Sequence, residues 1–451
     1  MQGSKLGPIL FIFYIDDLLR ELNDSKLGAV MGNLVISTLG FADDIVLITD
    51  CPKKMQKLLD ICYNWSTKNG MTFNINKCKI MVLNKAVKQV EFKLGNKGLE
   101  IVKIYKYLGI LLSTARLTSL YTQHFARLIE KVEKRINCVR HFGFDSDGLR
   151  PATCISMYKV LVRPILEYAS QVLSYTHQYF NAPSRPRRIF EPTDFLLKLE
   201  QMQNRILKLI IPCPKATPCG LLRLITGTMS VTAHIDIFKL RYFWKLTHSV
   251  ENNFALDIYK YRRSHFLESN IGYVHEIFNL CCEYNMMWIW HGTISSKLNP
   301  LNQIKRHIEQ CHLKKDLETS YSNNCVYASI GLSGNEYGKK YKSDKFLRRF
   351  GFFESTEHRR FFLYSLLDPC AYPRSCPQCG TETNDTLTHA LTECPKASKL
   401  RIALTLKLLL YNANREVSPT KFGCKKTLYK LAMGNRLFRK TLCEFLVAFG
   451  Y

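Results

Sequence analysis

Two groups of residues in this sequence have types and spacing that suit chemistry. Asp43 and Asp44 stand side by side between two β-rich runs, Leu34 to Leu39 and Ile45 to Thr49, with Gly40, Phe41 and Ala42 leading into them. Burying adjacent carboxylates in an apolar strand setting is costly unless a cation compensates. A hairpin turn that offers both to a divalent metal resolves the conflict, and so does a turn that leaves both in water. Phosphoryl transfer by two metal ions about 3.5–4 Å apart needs carboxylates of this kind. Far down the chain, Cys376, Cys379, His389 and Cys394 form a C-x2-C-x9-H-x4-C pattern. Four soft ligands opened by Cys-x-x-Cys fit one tetrahedral Zn2+. Gly380 suits the tight turn after the second ligand.

The elements that must hold these groups can be read from periodicity. The runs flanking Asp43 and Asp44 are β-rich, and residues 78 to 83 and 100 to 113 add short strand-like stretches. Pro8 onward reads as a helix through Leu22, which places Tyr14-Ile15-Asp16-Asp17, a second pair of aspartates, on a helix. From about residue 115 the pattern turns helical. Phe125, Leu128, Ile129, Val132, Ile136 and Val139 follow the i, i+3, i+4, i+7 rule, with Arg127, Lys131, Lys134 and Arg135 on the other face. A second helix runs from a Thr193/Asp194 cap through Phe195, Leu199, Met202, Ile206 and Leu209, with Arg205 and Lys208 on its polar side; Pro212 stops it. Pro183 to Arg188 is a basic loop between them. His389 and Cys394 fall near the end of a short helix, Asp385 to Leu391. His307, Cys311 and His312 lie on an amphipathic helix, Ile304 to Leu313, and read as packing rather than as a metal site. Cys281 and Cys282 read as core, and Cys370 is an alternative ligand near the Cys/His group.

Charge narrows the partners. The chain of 451 residues carries 64 Lys plus Arg against 37 Asp plus Glu, a formal net charge of +27. Such an excess repels itself unless an anionic partner is near, and nucleic-acid phosphates bind Lys and Arg without needing a sequence. Basic patches with interleaved aromatics, Lys339-Lys340-Tyr341-Lys342 and Arg348-Arg349-Phe350, fit that partner. No run is apolar over the roughly 20 residues a spanning helix needs, so no membrane is expected. The n-region and cleavage site of a signal peptide are missing. With 17 cysteines and no export signal, the expectation is an intracellular protein, nuclear or cytoplasmic, with mostly reduced thiols.

The neighbours of the acidic pair sharpen the reading. Phe41-Ala42-Asp43-Asp44 resembles the catalytic motif of non-LTR (LINE-type) retrotransposon reverse transcriptases. Gln2-Gly3-Ser4-Lys5-Leu6-Gly7-Pro8-Ile9-Leu10-Phe11 resembles the end of the motif before it, Asn74-Ile75-Asn76-Lys77-Cys78-Lys79-Ile80-Met81 the motif after it, and Tyr105-Lys106-Tyr107-Leu108-Gly109 the primer grip. Four motifs in order are more specific than any one. The stretch from Tyr158 to Tyr168, the helix around Met202 to Arg205, and the Cys/His group also resemble regions behind the polymerase core of such elements. The resemblance covers residues 1 to about 245 and again 370 to 400.

It implies an RNA-directed DNA polymerase with an RNA template, a DNA primer or target and deoxynucleoside triphosphates. Asp43 and Asp44 would hold Mg2+ (or Mn2+), and Lys77 would be a general acid near the leaving pyrophosphate. Gln2, Gly3 and Ser4, with Phe41 and Ala42, would approach template and nucleotide; Gly3, lacking a Cβ, lets its backbone come close. Tyr107, Leu108 and Gly109 would hold the primer end. The family uses a third catalytic aspartate on a strand ahead of the Gln-Gly-Ser motif, and this sequence opens at that motif. The expectation is therefore a fragment that does not polymerise alone. The alternative is a non-catalytic RNA- or DNA-binding protein that uses its basic helices and zinc segment.

The fold class expected is α+β: a partial palm with primer grip over 1–115, a helical thumb over 116–245, a basic and mostly helical connector over 246–369, a zinc segment over 370–400 and C-terminal helices over 401–451.

Overall fold

The computed structural model describes residues 6–83, 90–114, 117–143, 149–173, 194–211, 213–249, 253–265, 272–293, 299–321, 362, 374–383, 386–411 and 436–449. Gln2, Gly3, Ser4, the loop from Pro183 to Arg188, Cys370 and the basic patches at 339–342 and 348–350 lie outside them.

The front is mixed. Helix α1 (Gly7–Asp24) is followed by hairpins β1 (Ala29–Met31) with β2 (Leu34–Ile36) and β3 (Thr38–Phe41) with β4 (Asp44–Leu47), then by α2 (Pro52–Lys68). Strands β5 (Lys79–Ile80), β6 (Lys93–Leu94), β7 (Lys97–Gly98), β8 (Glu100–Ile101), β9 (Ile104–Tyr107) and β10 (Ile110–Ser113) complete it; β5 pairs with β8, β6 with β7 and β9 with β10. Helices follow: α3 (Leu117–Arg140), α4 (Pro151–Met157), a π-helical turn (Tyr158–Val162), α5 (Arg163–Leu166), α6 (Asp194–Ile210), α7 (Cys219–Thr226), α8 (Val231–Thr247), α9 (Phe254–Ser264), α10 (Tyr273–Glu283), α11 (Met287–His291) and α12 (Pro300–Tyr321). A small ribbon of β11 (Arg374–Ser375) and β12 (Glu382–Thr383) precedes α13 (Thr386–Thr392), α14 (Ser398–Tyr411) and α15 (Arg436–Phe449). The architecture is mixed α/β and mostly helical.

The chain divides into two compact units, one of Met1–Ala126 with Ser249–Asn270, the other of Arg127–His248 with Ile271–Tyr451. In the first unit α1 starts at Gly7-Pro8, where the missing proline N–H is harmless, and buries Ile15, Leu18 and Leu22 along one stripe. These meet Leu58, Leu59, Cys62 and Trp65 of α2, with Ile80, Phe92 and Leu94 closing the core. The expected single strand from Leu34 to Leu39 is broken at the buried Ser37. The reason is pairing: β2 turns back on β1, whereas β3 pairs forward with β4. Ile48 bridges the two hairpins, its N–H donating to Ser37 O at 2.9 Å and its carbonyl accepting from Ala29 N at 3.2 Å. Gly32, at φ +59, closes the first hairpin, and a Cβ there would stand 2.8 Å from the Tyr261 ring of α9. Residues 254–264 thus return to the front unit, a pairing that no periodicity or motif predicts.

The second unit is organised by buried charge. Arg223 of α7 donates from Nε and Nη2 to the two carboxylate oxygens of Asp316 on α12, at 2.9 and 2.5 Å, and from Nη1 to Glu200 of α6 at 2.9 Å. The other Glu200 oxygen accepts from Val231 N at 2.9 Å, at the start of α8. One guanidinium therefore ties four helices. Nearby, Lys239 pairs with Glu276, and Tyr284 donates to Asp236 Oδ2 at 2.7 Å. The π-helical turn falls just before Pro164, whose ring removes a helical N–H. Its Tyr158 hydroxyl donates to Gln203 Oε1 at 2.7 Å inside the core. Cys281 is buried as expected, but Cys282 is exposed on the outer side of α10.

Two predictions follow from these groups. Replacing Arg223 by Leu strands the buried Asp316 carboxylate and the half-buried Glu200 carboxylate and is expected to cost about 3–5 kcal/mol, read as a lower urea midpoint of the second unit by tryptophan fluorescence. Burial lifts the Asp236 carboxyl from its ordinary value to about 7. A folded-state value above the unfolded one gives stability that is present at low pH and lost as pH rises through 7. Asp236→Asn is therefore expected to flatten the fall in stability between about pH 4 and 7, so that its advantage over the parent grows with pH in the same titration.

Candidate functional site

The acidic pair sits on a two-residue turn. In the β3–β4 ladder Phe41 faces Asp44 and Gly40 faces Ile45, leaving Ala42 and Asp43 as the turn itself. Ala42 has φ +52, a left-handed conformation that costs an L-residue about 1–2 kcal/mol. Primed hairpin turns usually place Gly at that position because their twist matches the strands. The strain sits at the motif itself. Gly40 lets α1 lie close beneath, since a Cβ there would come 2.9 Å from the Leu19 side chain. Phe41, Ala42, Asp43 and Asp44 are all exposed. Among the described residues neither carboxylate makes an ion pair, and no third His, Cys, Asp or Glu joins them as a metal-ligand group. Of the two solutions posed by the sequence, the pair takes one in which both carboxylates reach water and are open to a cation.

The β9–β10 hairpin has the same design. Its turn is Leu108-Gly109, at φ +45 and +80, between the facing residues Tyr107 and Ile110. Burial raises the Tyr107 phenol above its ordinary range, and the charge of Asp44 adds to the effect. The structure therefore brings the acidic turn and the Tyr107 hairpin within electrostatic reach, a proximity the sequence does not reveal. Lys77 ends a turn begun by Asn74, whose Oδ1 accepts from Asn76 N at 3.1 Å. Its backbone oxygen accepts from the Tyr105 hydroxyl at 3.3 Å, so β9 and the Lys77 turn are joined while the Lys77 side chain is exposed. Asp16 and Asp17 lie on α1 as expected, and Asp16 pairs with Arg20 at 2.7 Å.

The Cys/His group is assembled in the second unit. The ligand atoms of Cys376, Cys379, His389 and Cys394 all lie within 4.8 Å of one another. Cys376 Sγ and Cys394 Sγ are 3.8 Å apart, and Cys379 Sγ is 3.2 Å from His389 Nε2. An ion about 2.3 Å from each sulfur sets tetrahedral edges of about 3.8 Å, so this donor set fits a soft divalent metal. Gly380, at φ +78, turns the chain so that its N–H reaches Cys376 O at 2.9 Å, and Cys376 N donates to Thr381 O at 2.8 Å. Hydrogen bonds led by that from Thr381 bring the Cys379 thiol down to about 6, which favours the thiolate a metal requires. His389 offers Nε2 to the cluster while Nδ1 faces Glu393 Oε2 at 3.5 Å, the arrangement that orients a ligating imidazole. The spacing gave no hint of Glu393 in that role.

His307 and His312 do not gather a metal set among the described residues. His307 Nε2 meets Tyr284 O at 2.9 Å and His312 Nε2 meets the Tyr284 hydroxyl at 2.8 Å. Burial holds the His312 imidazole down at about 4. Both therefore pack as read. No helix among the described residues is long and apolar enough to cross a membrane.

Residues 1–112 match the family model described as reverse transcriptase (RNA-dependent DNA polymerase). The chain is 34% identical over 119 residues to the Pol polyprotein of the type-2 retrotransposable element R2DM of Drosophila melanogaster, covering 24% of this chain and 11% of that protein. It is 29% identical over 143 residues to the Pol polyprotein of a type-1 element R2 of Popillia japonica, covering 30% of the chain and 24% of the relative. A type-1 element R2 of Nasonia vitripennis gives 30% over 122 residues, 24% of the chain and 12% of the relative. The matched segment thus spans between about a tenth and a quarter of these relatives' own length. Through residues 1–112, the segment that carries the acidic turn and the Tyr107 hairpin, the chain is similar to reverse transcriptases, among them those of the R2 retrotransposable elements.

Proposed function

We propose that the first unit is part of the palm of an RNA-directed DNA polymerase and that the helices behind it serve as a thumb. The observation that carries this reading is the acidic turn: two exposed carboxylates on a strained hairpin, neither of them in an ion pair among the described residues. In the intact reaction Mg2+ or Mn2+ supplies charge neutralisation to the attacking and leaving oxygens. Asp43 is proposed as the direct metal ligand and Asp44 as the supporting one. The Tyr107-Leu108-Gly109 turn is proposed to hold the primer end near them, and the exposed Lys77 ammonium to protonate the leaving pyrophosphate. Gln2, Gly3 and Ser4, with Phe41 and Ala42, are proposed to contact template and nucleotide, as the sequence resemblance implies. A two-metal clamp needs a further carboxylate beyond this pair, and among the described residues none joins it; this chain is proposed to bind template and primer without extending them. Zn2+ is the ion proposed for Cys376, Cys379, His389 and Cys394.

A second reading rests on α3, whose Arg127, Lys131, Lys134 and Arg135 are exposed opposite a buried Phe125, Leu128, Val132, Ile136 stripe. On that reading the chain binds RNA or DNA and never uses the aspartates.

Primer extension on an RNA template with Mg2+ or Mn2+, comparing the parent with Asp43→Ala, tests whether the acidic turn is part of a complete catalytic site. No extension by either is expected, with RNA binding retained by both. Extension by the parent that Asp43→Ala abolishes would show a complete site and overturn the expectation of an inactive fragment. Binding itself is expected to fall steeply with salt. Changing Arg127, Lys131 and Arg135 to Ala should reduce the slope of log affinity against log salt by about 0.7 per lost contact on single strands. A flat salt dependence for the parent would count against both readings.

A further inference from the structure

The Cys/His module is too small to carry a core of its own: two strands of two residues and one short helix. What it does have is a set of hydrogen bonds that run outward from its ligand positions. Gln378 lies between Cys376 and Cys379, and its amide Nε2 donates to Phe449 O at 2.9 Å. Phe449 is the last residue of α15, where carbonyls have no partner within the helix. On the other side, Arg401 of α14 donates from one Nη1 to Ala390 O at 3.0 Å and to Cys394 O at 2.6 Å. It thus brackets the fourth ligand and the end of α13. The helices these bonds reach pack on each other. Leu442, Cys443, Leu446 and Phe449 of α15 are fully buried, as are Leu387, Ala390 and Cys394 of the module.

We propose that the module is a clasp: with its metal in place, the Cys376–Cys379 loop and Cys394 hold α15 through Gln378 and α14 through Arg401. This rests on the reading of the four residues as a metal site. The loop conformation that presents Gln378 is set by two of the ligands, and the carbonyl that Arg401 grips belongs to a third. When the ion is removed, three sulfurs and an imidazole lose the common centre that keeps them within 4.8 Å. The loop then relaxes, and both anchors relax with it. The metal would therefore act on both C-terminal helices, on α14 next to its last ligand and on α15 far beyond it in sequence. Gln378 and Arg401 are positioning residues on this account, not ligands.

The test uses the full chain loaded with Zn2+. Metal content is measured first, then amide hydrogen exchange over 398–411, 436–449 and, as a control, α12 at 300–321, before and after chelation. The expected result is one ion per chain, at least about tenfold faster exchange over 398–411 and 436–449 after chelation, and little change over 300–321. Gln378→Ala and Gln378→Glu, which remove the N–H donor and leave all four ligands, should keep the ion and the Co2+ spectrum of three thiolates and one imidazole. Each should nevertheless speed exchange over 436–449 about fivefold, the order expected for one hydrogen bond. If no ion binds, the metal reading fails and the clasp with it. If the ion binds with that spectrum but chelation leaves 436–449 protected, the clasp is overturned and the metal reading stands. If chelation opens 300–321 equally, the metal stabilises the unit as a whole and the clasp is likewise overturned.

Discussion

A charge removed from water must find a partner, and a charge without a partner must stay in water. Both units are arranged around that constraint. In the second unit Arg223 enters the interior only because Asp316 and Glu200 meet it there, and Lys239 only because Glu276 does. These pairs link helices far apart in sequence, since Arg223 on α7 answers to residues on α6 and α12. In the first unit Asp43 and Asp44 have no such cation among the described residues, and they stand exposed at the tip of a hairpin. The same electrostatics that locks one unit leaves the other with an open, negatively charged turn.

The turn is presented at a cost. Ala42 is held left-handed where Gly would be relaxed, and Leu108 repeats that strain at the second hairpin. Strain of this sort persists only when the surroundings over-determine it. Here α1 does so, lying against Gly40 with Leu19 and anchored below by Ile15, Leu18 and Leu22. The two strained turns are also the two that electrostatics couples, through Asp44 and Tyr107.

The charge excess and the Cys/His module belong to a different part of the molecule. The α3 face that carries Arg127, Lys131, Lys134 and Arg135 is polar because its opposite stripe is needed for packing. Helix amphipathicity thus leaves a row of cations at the surface without any further device. The module instead gathers four ligands about a shared centre, and side-chain bonds tie it to α14 and α15.

Much of the local design was legible in the residues. The stripe Phe125, Leu128, Val132, Ile136, Val139 predicted α3 because a helix repeats every 3.6 residues whatever surrounds it. Gly40 to Asp44 predicted a turn, and the Cys-x-x-Cys spacing predicted that its cysteines meet, because these features depend on neighbours along the chain. Other features could not be read there. The break at Ser37 follows from which strands β2 and β3 choose as partners. The return of residues 254–264 to the front unit, the grip of Arg223 on Asp316, the nearness of Tyr107 to Asp44 and the bond from Gln378 to Phe449 all join residues at least 63 positions apart in those pairs. Such pairings leave no period in the sequence, because they are set by how whole elements pack. The sequence by itself determined the helices, the turns and the chemical character of the two candidate sites; only the tertiary structure decided which of those groups face one another, since desolvation and packing act on contacts that chain order does not encode.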